Sequence, residues 1–450
     1  MAKIALNRII ICTFLIALIC FGWTIALTSN LRTNLKQTKL ITQAKDLIQQ
    51  EIYQKGISNL KEALTYKTKK NEEIYMMLAN TYKEIGYERQ YAANLNKVIE
   101  LNTTNEEVYY SLATYYYDNY KYHDSLNTLK KGITNLKSQK LKDFYEQIRY
   151  KTYYLFCYED EVLPFSEGYA AVKKNNKWGY IDNKGNLVID YKFDKATSFN
   201  NSMALVVKNN ITSIIDKNGF NTKVTDFKVI DITGFNENGA AIKTNNKWKI
   251  INDEFDITTE TWQDIGVYFN GFIAVKNNNL WAVRQKGGKL LLDYKYQNIS
   301  LNEHRKCFLN NTCFALINNK YQLIDLNGTI ISKTGWQEAK EFNEKNSYAA
   351  IKKDNKWGFI NSLGEEVLAN TWQNAKSFSN GLAAVKINNK WGYINESGRL
   401  VIGAIYDDVQ SFYNGLAAVK KDNVWRFIGL EQYRYKSNLL SDSLGGIINE

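Results

Sequence analysis

The sequence predicts a multi-domain chain in three parts: an N-terminal transmembrane helix, an all-α helical-repeat solenoid, and an all-β array of about eight three-stranded meanders. Three observations carry this reading. Residues 9–27 hold no charged side chain, the residues around 75–100 return 34 positions later, and from residue 165 one phrase recurs to the end of the ordered pattern. That phrase is "KWGYIDNKGN" at 177–186 and "KWGYINESGR" at 390–399. The resulting boundaries are 1–30 for the anchor or signal segment, 37–160 for the helical repeats with a capping helix, 165–430 for the β array, and 431–450 for a tail.

Composition is that of a folded chain, with 44% hydrophobic and 23% charged residues. A single proline, Pro164, and 14% aromatic residues suit short strands and stacked helices. The net charge of +12 arises from lysine in a Lys-, Asn- and Ile-rich background, so basicity alone does not indicate an anionic partner, and none of nucleic-acid type is expected.

At the N-terminus, Lys3 and Arg8 precede "IIICTFLIALICFGWTIAL". Nineteen uncharged residues make about 28 Å of helix, enough to cross the hydrocarbon core. A cleavable signal peptide shares the basic start, but this run exceeds a signal core and "TIALTSN" lacks a small-x-small cleavage pattern. An uncleaved anchor is therefore favoured. Arg32, Lys36 and Lys39 beyond the span compete with Lys3 and Arg8 for the cytoplasmic side. The expectation is a short cytoplasmic tail with the bulk extracytoplasmic, in the periplasm or at the cell surface, and a cytoplasmic orientation stays open.

Between about 37 and 139, "YQKGISNLKEAL", "YERQYAANLNKVI" and "YHDSLNTLKKGI" each place apolar residues at helical spacing. Tyr75 aligns with Tyr109, Leu78 with Leu112, Ala79 with Ala113 and Leu95 with Leu129. This pattern resembles the tetratricopeptide repeat, a helix-turn-helix unit, with Ala79 and Ala113 where that family usually has glycine and no terminal proline. The resemblance implies a concave peptide groove lined by Met76, Asn80, Lys83, Tyr110, Thr114 and Tyr117. A tyrosine-rich helix over about 140–158 is expected to cap the stack, since an unfinished solenoid exposes an apolar face.

The β part repeats an aromatic at Phe165, Phe199, Phe235, Phe269, Phe308, Phe342, Phe378 and Phe412. Each copy runs from an apolar strand such as "GLAAVK", through an Asn-Asn or Asp-Asn turn, to "KWGYI", an Asx-glycine turn and a third run such as "LVI". Trp178, Trp248, Trp281, Trp357, Trp391 and Trp425 align, as do Phe193, Phe227, Trp262, Tyr296, Trp336, Trp372 and Tyr406. Large aromatics bury about 150–250 Å² each, more than one meander shelters, so neighbouring copies must supply the other wall. These residues resemble the WG-repeat family, whose Trp-Gly pair survives as Trp178-Gly179, Trp357-Gly358 and Trp391-Gly392. The resemblance implies a β-repeat fold and an interaction role. Closure into a propeller-like ring and winding as an open β superhelix both fit, and the short copy length leans toward the open array.

Chemistry is sparse. The only histidines are His123 and His304, which argues against a histidine triad or zinc site. No phosphate loop or dinucleotide fingerprint is present, so no catalytic, cofactor or metal residue is assigned. Asp182, Asp216 and Asp325 read as turn formers, because Asn252, Asn361 and Asn395 replace them in other copies. Lys173, Lys243, Lys276, Lys352, Lys386 and Lys420 form a row that is either an anionic-surface stripe or a solvating edge. The aligned tryptophans read as repeat core, with sugar-stacking platforms as the alternative. The insertion "LNEHRKCFLNNTC", 301–313, is a candidate binding loop. The function expected is a membrane-anchored, non-enzymatic scaffold binding protein partners, with a glycan or cell-envelope polymer module as the alternative.

Overall fold

The computed structural model describes residues 31–66, 70–155, 159–225, 228–236, 239–252 and 256–434, with the side chains of 222–225 left aside. The apolar segment 9–27, Cys157, Phe227 and residues 435–450 lie outside the described residues. Among the described residues, no helix is long and apolar enough to cross a membrane. The chain divides into two compact units, Met1–Arg149 and Tyr150–Glu450.

Among the described residues, the first unit contains seven helices: α1 over 31–49, α2 Tyr53–Leu64, α3 Asn71–Glu84, α4 Glu88–Glu100, α5 Glu106–Asp118, α6 Tyr122–Leu136 and α7 Gln139–Ile148. Successive helices pack as hairpins, α3 on α4 and α5 on α6. Their shared core contains Leu78, Ala79, Leu112 and Ala113, whose small alanines let neighbouring helices approach. Asn105 and Ser138 cap α5 and α7 by accepting backbone N–H bonds from Glu107 and Leu141. The capping helix is shorter than its sequence suggests. It ends at Ile148, and Thr152–Tyr154 is a strand of the second unit.

That second unit is a closed ring of eight small antiparallel sheets, here called blades 1 to 8. Blade 1 consists of Glu161–Val162, Tyr169–Lys174, Lys177–Asp182 and Leu187–Phe193. Blades 2 to 8 begin at Lys195–Ala196, Asp231–Ile232, Asp264–Ile265, Asn298–Ile299, Glu338–Ala339, Asn374–Ala375 and Asp408–Val409. The three-stranded meander is thus one strand short. A two-residue inner strand precedes it, and in blades 4 to 8 this strand buries the Ala, Ile or Val three residues after the second aromatic: Ile265, Ile299, Ala339, Ala375 and Val409.

Closure comes from the N-terminal side. Thr152, Tyr153 and Tyr154 pair antiparallel with Leu430, Gly429 and Ile428, supplying the fourth strand of blade 8. Leu155, Val162 and Phe165 pack with Leu416, Ala418 and Phe427 in one buried cluster, which joins the first blade to the last. The open superhelix is therefore ruled out: it would leave the outer edge of strand 424–430, paired here at Ile428, Gly429 and Leu430, without a partner and this apolar face uncovered.

Local chemistry explains the repetition. Each strand-strand hairpin turns through two residues at positive φ, as at Asn175 (49°) and Asn176 (63°) or Asn388 (48°) and Asn389 (62°). Asparagine tolerates this left-handed pair, the hairpin turn that matches strand twist. Asp182 accepts from the N–H groups of Lys184 and Asn186 at 2.9 and 2.8 Å, and Asp216, Asn252, Asp325, Asn361 and Asn395 make equivalent turn bonds.

The Trp-Gly glycine serves the outer strand. A Cβ at Gly179, Gly358 or Gly392 would stand 2.5, 2.7 or 2.6 Å from a carbonyl oxygen of that strand, where the pairing register shifts. Blades 3 and 5, with Lys249 and Gln322 at this position, retain only three strands. There Thr258 and Ser332 hydroxyls accept the edge N–H groups of Ile250 and Leu323.

Candidate functional site

The residues expected to carry function fall into three places. Trp178, Trp248, Trp281, Trp357 and Trp391 are at most 9% exposed and pack between blades, so they are core and not stacking platforms. Trp425 is partly buried in the closing cluster.

The lysine row is present, and two of its members are ion-paired. Lys173 lies 2.6 Å from Glu161 and Lys352 lies 2.6 Å from Glu338 on the inner strand. Lys243, Lys276 and Lys420 stand opposite Asp231, Asp264 and Asp408 in the same register, and Lys386 faces Asn374. Lys173, Lys243 and Lys386 also lie 5.8, 5.7 and 5.9 Å from their tryptophan rings. Opposite charges across a strand pair offset one another, which reduces the field of the row where an acid stands opposite.

On the helical unit, Tyr110 and Tyr117 pack against Phe144 of α7, with ring centroids 5.2 and 5.9 Å apart. Lys140 sits 4.2 Å over Tyr110. The Thr114 hydroxyl donates to the Tyr110 carbonyl at 2.9 Å, within its own helix. Met76 packs on the helical core, Lys83 lies 5.3 Å over Tyr91, and Asn80 and Lys83 are exposed. The six positions therefore split into a covered aromatic group and an open polar one.

The inner strands of the ring surround a central channel, and it is here that the 301–313 insertion acts. Asn302 accepts the N–H groups of His304 and Lys306 at 2.9 and 3.0 Å, folding 302–306 into a tight strap. Glu303 reaches Lys376 of blade 7 at 2.5 Å and accepts the Ser411 N–H of blade 8 at 3.2 Å. The His304 ring lies 5.4 Å from Tyr413 of blade 8. Arg305 pairs with Asp264 of blade 4 at 2.6 Å and donates from Nε to the Ile265 carbonyl at 3.0 Å. One inserted turn thus spans the channel and touches blades on both sides.

The strap divides the channel. On one side is a recess of about 720 Å³ whose wall includes Leu163, Ser198, Asn200, Thr233, Asn236 and Phe269. Phe269 lines this recess one residue past Tyr268, which accepts from Asn236 as Phe235 accepts from Asn200. Acids of the recess are paired: Glu161 with Lys173, Glu167 with Lys217 at 3.1 Å, and Asp194 with Lys177 at 2.5 Å. On the other side a cavity of about 220 Å³ is lined by Glu303, Lys340, Glu341 and Lys376.

Electrostatics differ across the strap. Burial works against ionised Glu303, but Lys376 and the Ser411 N–H outweigh it and hold the carboxyl below its usual range. Burial, with Lys306 nearby, lowers His304, so the imidazole is neutral at pH 7. Burial and the adjacent Lys376 bring Lys340 down to about 8. Burial raises Glu341 to about 8, although it accepts N–H bonds from Phe342 and Phe314 at 3.0 and 3.3 Å.

Sequence reasoning missed two groups here. Lys340 and Lys376 recur as "EAKEF" and "NAKSF", one position past the inner strand, where Leu163, Thr197, Thr233 and Gln410 stand in other copies. The second is the acid or amide that precedes most of the inner strands, a recurrence visible in the sequence. Asp160, Asp194, Gln263, Gln337, Gln373 and Asp407 each accept the N–H of a turn residue in their own blade, at 2.7 to 2.9 Å. Among the described residues no group of three or more His, Cys, Asp or Glu could hold a metal ion.

A family model described as the WG containing repeat matches residues 160–178, 178–210, 323–357, 357–391 and 391–425. These matches fall on blades 1, 2 and 5 to 8, the parts where the Trp-Gly pairs survive and their neighbours. No curated protein matches. Among solved structures, the chain is similar to "Crystal structure of MamA" at 20% identity over 22% of this chain and 58% of that one, with a TM-score of 0.20. It therefore spans under two thirds of that relative's length. It is also similar to the WD40 domain of Pan2 from Neurospora crassa, at 11% identity over 51% of this chain and 86% of that one, with a TM-score of 0.32. A third similarity is to the AfRom2 CNH domain, at 9% identity over 62% and 99%, with a TM-score of 0.33.

Proposed function

We propose that this WG-repeat protein is a membrane-anchored, non-enzymatic scaffold whose ring binds a protein partner in the larger channel recess. The observation that carries the reading is the recess itself: about 720 Å³, walled by inner segments of six blades and closed at its back by the 302–306 strap. A concave site on a rigid ring, with scattered polar groups and apolar patches, suits a polar peptide segment or loop. The ion pairs of Glu161, Glu167 and Asp194 with lysines support a binding role over a catalytic one.

The tetratricopeptide-like helices supply a second protein-binding surface, at the open end of the row marked by Asn80 and Lys83. The segment 9–27 is the anchor, and the bulk of the chain is extracytoplasmic. The glycan reading draws no support from the aligned tryptophans. Acrylamide should quench their fluorescence weakly, and strong quenching would restore them as stacking platforms.

A photo-crosslinking amino acid at Asn201, an exposed residue of the recess rim, tests the site in intact cells. The expected result is one discrete crosslinked partner, absent when the probe sits at Leu363, 68% exposed and outside the recess. The same crosslinks from both positions would refute the recess as the binding site.

A further inference from the structure

We infer that the smaller cavity is a site for a small oxyanion, a carboxylate or phosphate group, held between the ammonium groups of Lys340 and Lys376 in the place that Glu303 now fills. The inference does not depend on which partner the larger recess takes.

The two lysines come from the same position of adjacent blades, one residue beyond the inner strands Glu338–Ala339 and Asn374–Ala375. Equal position on neighbouring blades directs both side chains to one cavity of about 220 Å³. Neither is a solvated surface lysine. The Lys376 side chain is 21% exposed, and Lys340 donates to Asn374 Oδ1 at 3.3 Å while lying 4.8 Å over the Trp357 ring.

Two cations side by side in a confined space call for negative charge at both, and the carboxylate in contact is that of Glu303 alone; Glu338, paired with Lys352, and Asp408 act on Lys340 from farther away. Glu303 lies 2.5 Å from Lys376, whereas Lys340 has no ion-pair partner among the described residues. Glu341 does not make up the deficit. Its carboxyl is buried on the Phe314 and Phe342 N–H groups, and with a pKa of about 8 it is mostly protonated at neutral pH.

Glu303 itself shows what the site accepts. Its carboxylate takes one ammonium and one backbone N–H, that of Ser411, and it belongs to the inserted strap and not to the ring wall. The remaining polar groups are committed: Asn343 Nδ2 donates to the Ser377 carbonyl at 3.0 Å and Ser377 Oγ to the Lys340 carbonyl at 3.1 Å. An incoming oxyanion that displaced Glu303 would gain both ammonium groups and the Ser411 N–H. The volume admits a small group, not a polymer.

The test is isothermal titration of the full-length protein with inorganic phosphate and, separately, succinate, at matched ionic strength. Glu303→Gln removes the internal competitor, so it should bind one equivalent of at least one probe on the order of ten-fold more tightly than the parent. Lys340→Met and Lys376→Met should abolish that binding, and Lys173→Met, in the paired outer row, should leave it unchanged. Which probe binds more tightly assigns the group as phosphate or carboxylate. A folded Glu303→Gln protein that binds neither, or binding that survives Lys340→Met, overturns the inference.

A readout on the parent protein covers the case in which Glu303→Gln does not fold. Limiting amine acylation at pH 7.5, mapped by peptide, should label Lys340 several-fold more slowly with saturating phosphate or succinate, relative to the exposed Lys356. Labelling of Lys340 that neither probe changes contradicts the site.

Discussion

Replacing Gly392 by alanine should destabilise blade 7 by an amount the geometry fixes. The new Cβ would lie 2.6 Å from the Ile402 oxygen, 2.7 Å from the Ala404 nitrogen and 2.8 Å from its Cα. All three are backbone atoms, so no side chain can rotate away. Ordinary contact begins near 3.4 Å, so strand Leu400–Tyr406 must retreat by about 0.6–0.8 Å. Blade 4 shows that such a retreat is attainable, because Ala282 occupies this place and keeps a bulged outer strand. The cost is therefore that of overpacking, about 1–3 kcal/mol, without loss of the fold. Gly392→Lys, copying Lys249 of blade 3, should go further and release the outer strand.

The assay is calorimetric melting of the full chain with hydrogen exchange over residues 400–406. Gly403→Ala is the matched control: the same glycine-to-alanine change on the facing strand, where a Cβ would meet only Ile405 Cγ2 at 3.9 Å. It should be neutral or stabilising by about 0.5–1 kcal/mol, through a less flexible unfolded chain. Equal melting of Gly392→Ala and Gly403→Ala would refute the steric account of the Trp-Gly pair.

Two further predictions concern the turns and the buried acid. Asn389→Ala places an alanine at φ 62° and should cost about 1–2 kcal/mol in thermal melts, whereas Asn389→Gly should cost little. Glu341, raised from an ordinary value of 4.5 to about 8, keeps a proton in the folded state that the unfolded chain has already released. Its contribution is then complete below pH 4.5 and lost as pH rises through 8, so the stability difference between parent and Glu341→Gln should shift in that window. A difference flat from pH 5 to 8 would place an ionised carboxylate at Glu341.

Much of this fold was legible because it is written repeatedly. The Asn-Asn turns, the Asx turns and the buried tryptophans follow from local preferences that each copy states alone. The inner strand was hidden because two residues, such as Glu161–Val162, carry no periodicity. Closure was hidden for a different reason. Its strand, Thr152–Tyr154, lies before the first copy in a tyrosine-rich stretch that reads equally well as helix. The channel site was hidden because Lys340 and Lys376 converge only through the packing of adjacent blades, and Glu303 has meaning only as part of a strap across the channel. The acids opposite Lys173 and Lys352 were hidden with the inner strands, because they sit on the short strands the pattern did not reveal.

The central claim is that residues 152–154 close the ring on strand 424–430. Thr152 and Leu430 are opposed in a pair flanked by the hydrogen-bonded positions Glu431 to Lys151 and Leu155 to Phe427. Such non-bonded pairs bring Cα atoms to about 4.5 Å, within disulfide reach. Thr152→Cys with Leu430→Cys, oxidised at low protein concentration and mapped by peptide, should give a single intramolecular 152–430 disulfide in monomeric protein. Thiols that stay free, or that bridge only between chains, would show that the ring is open.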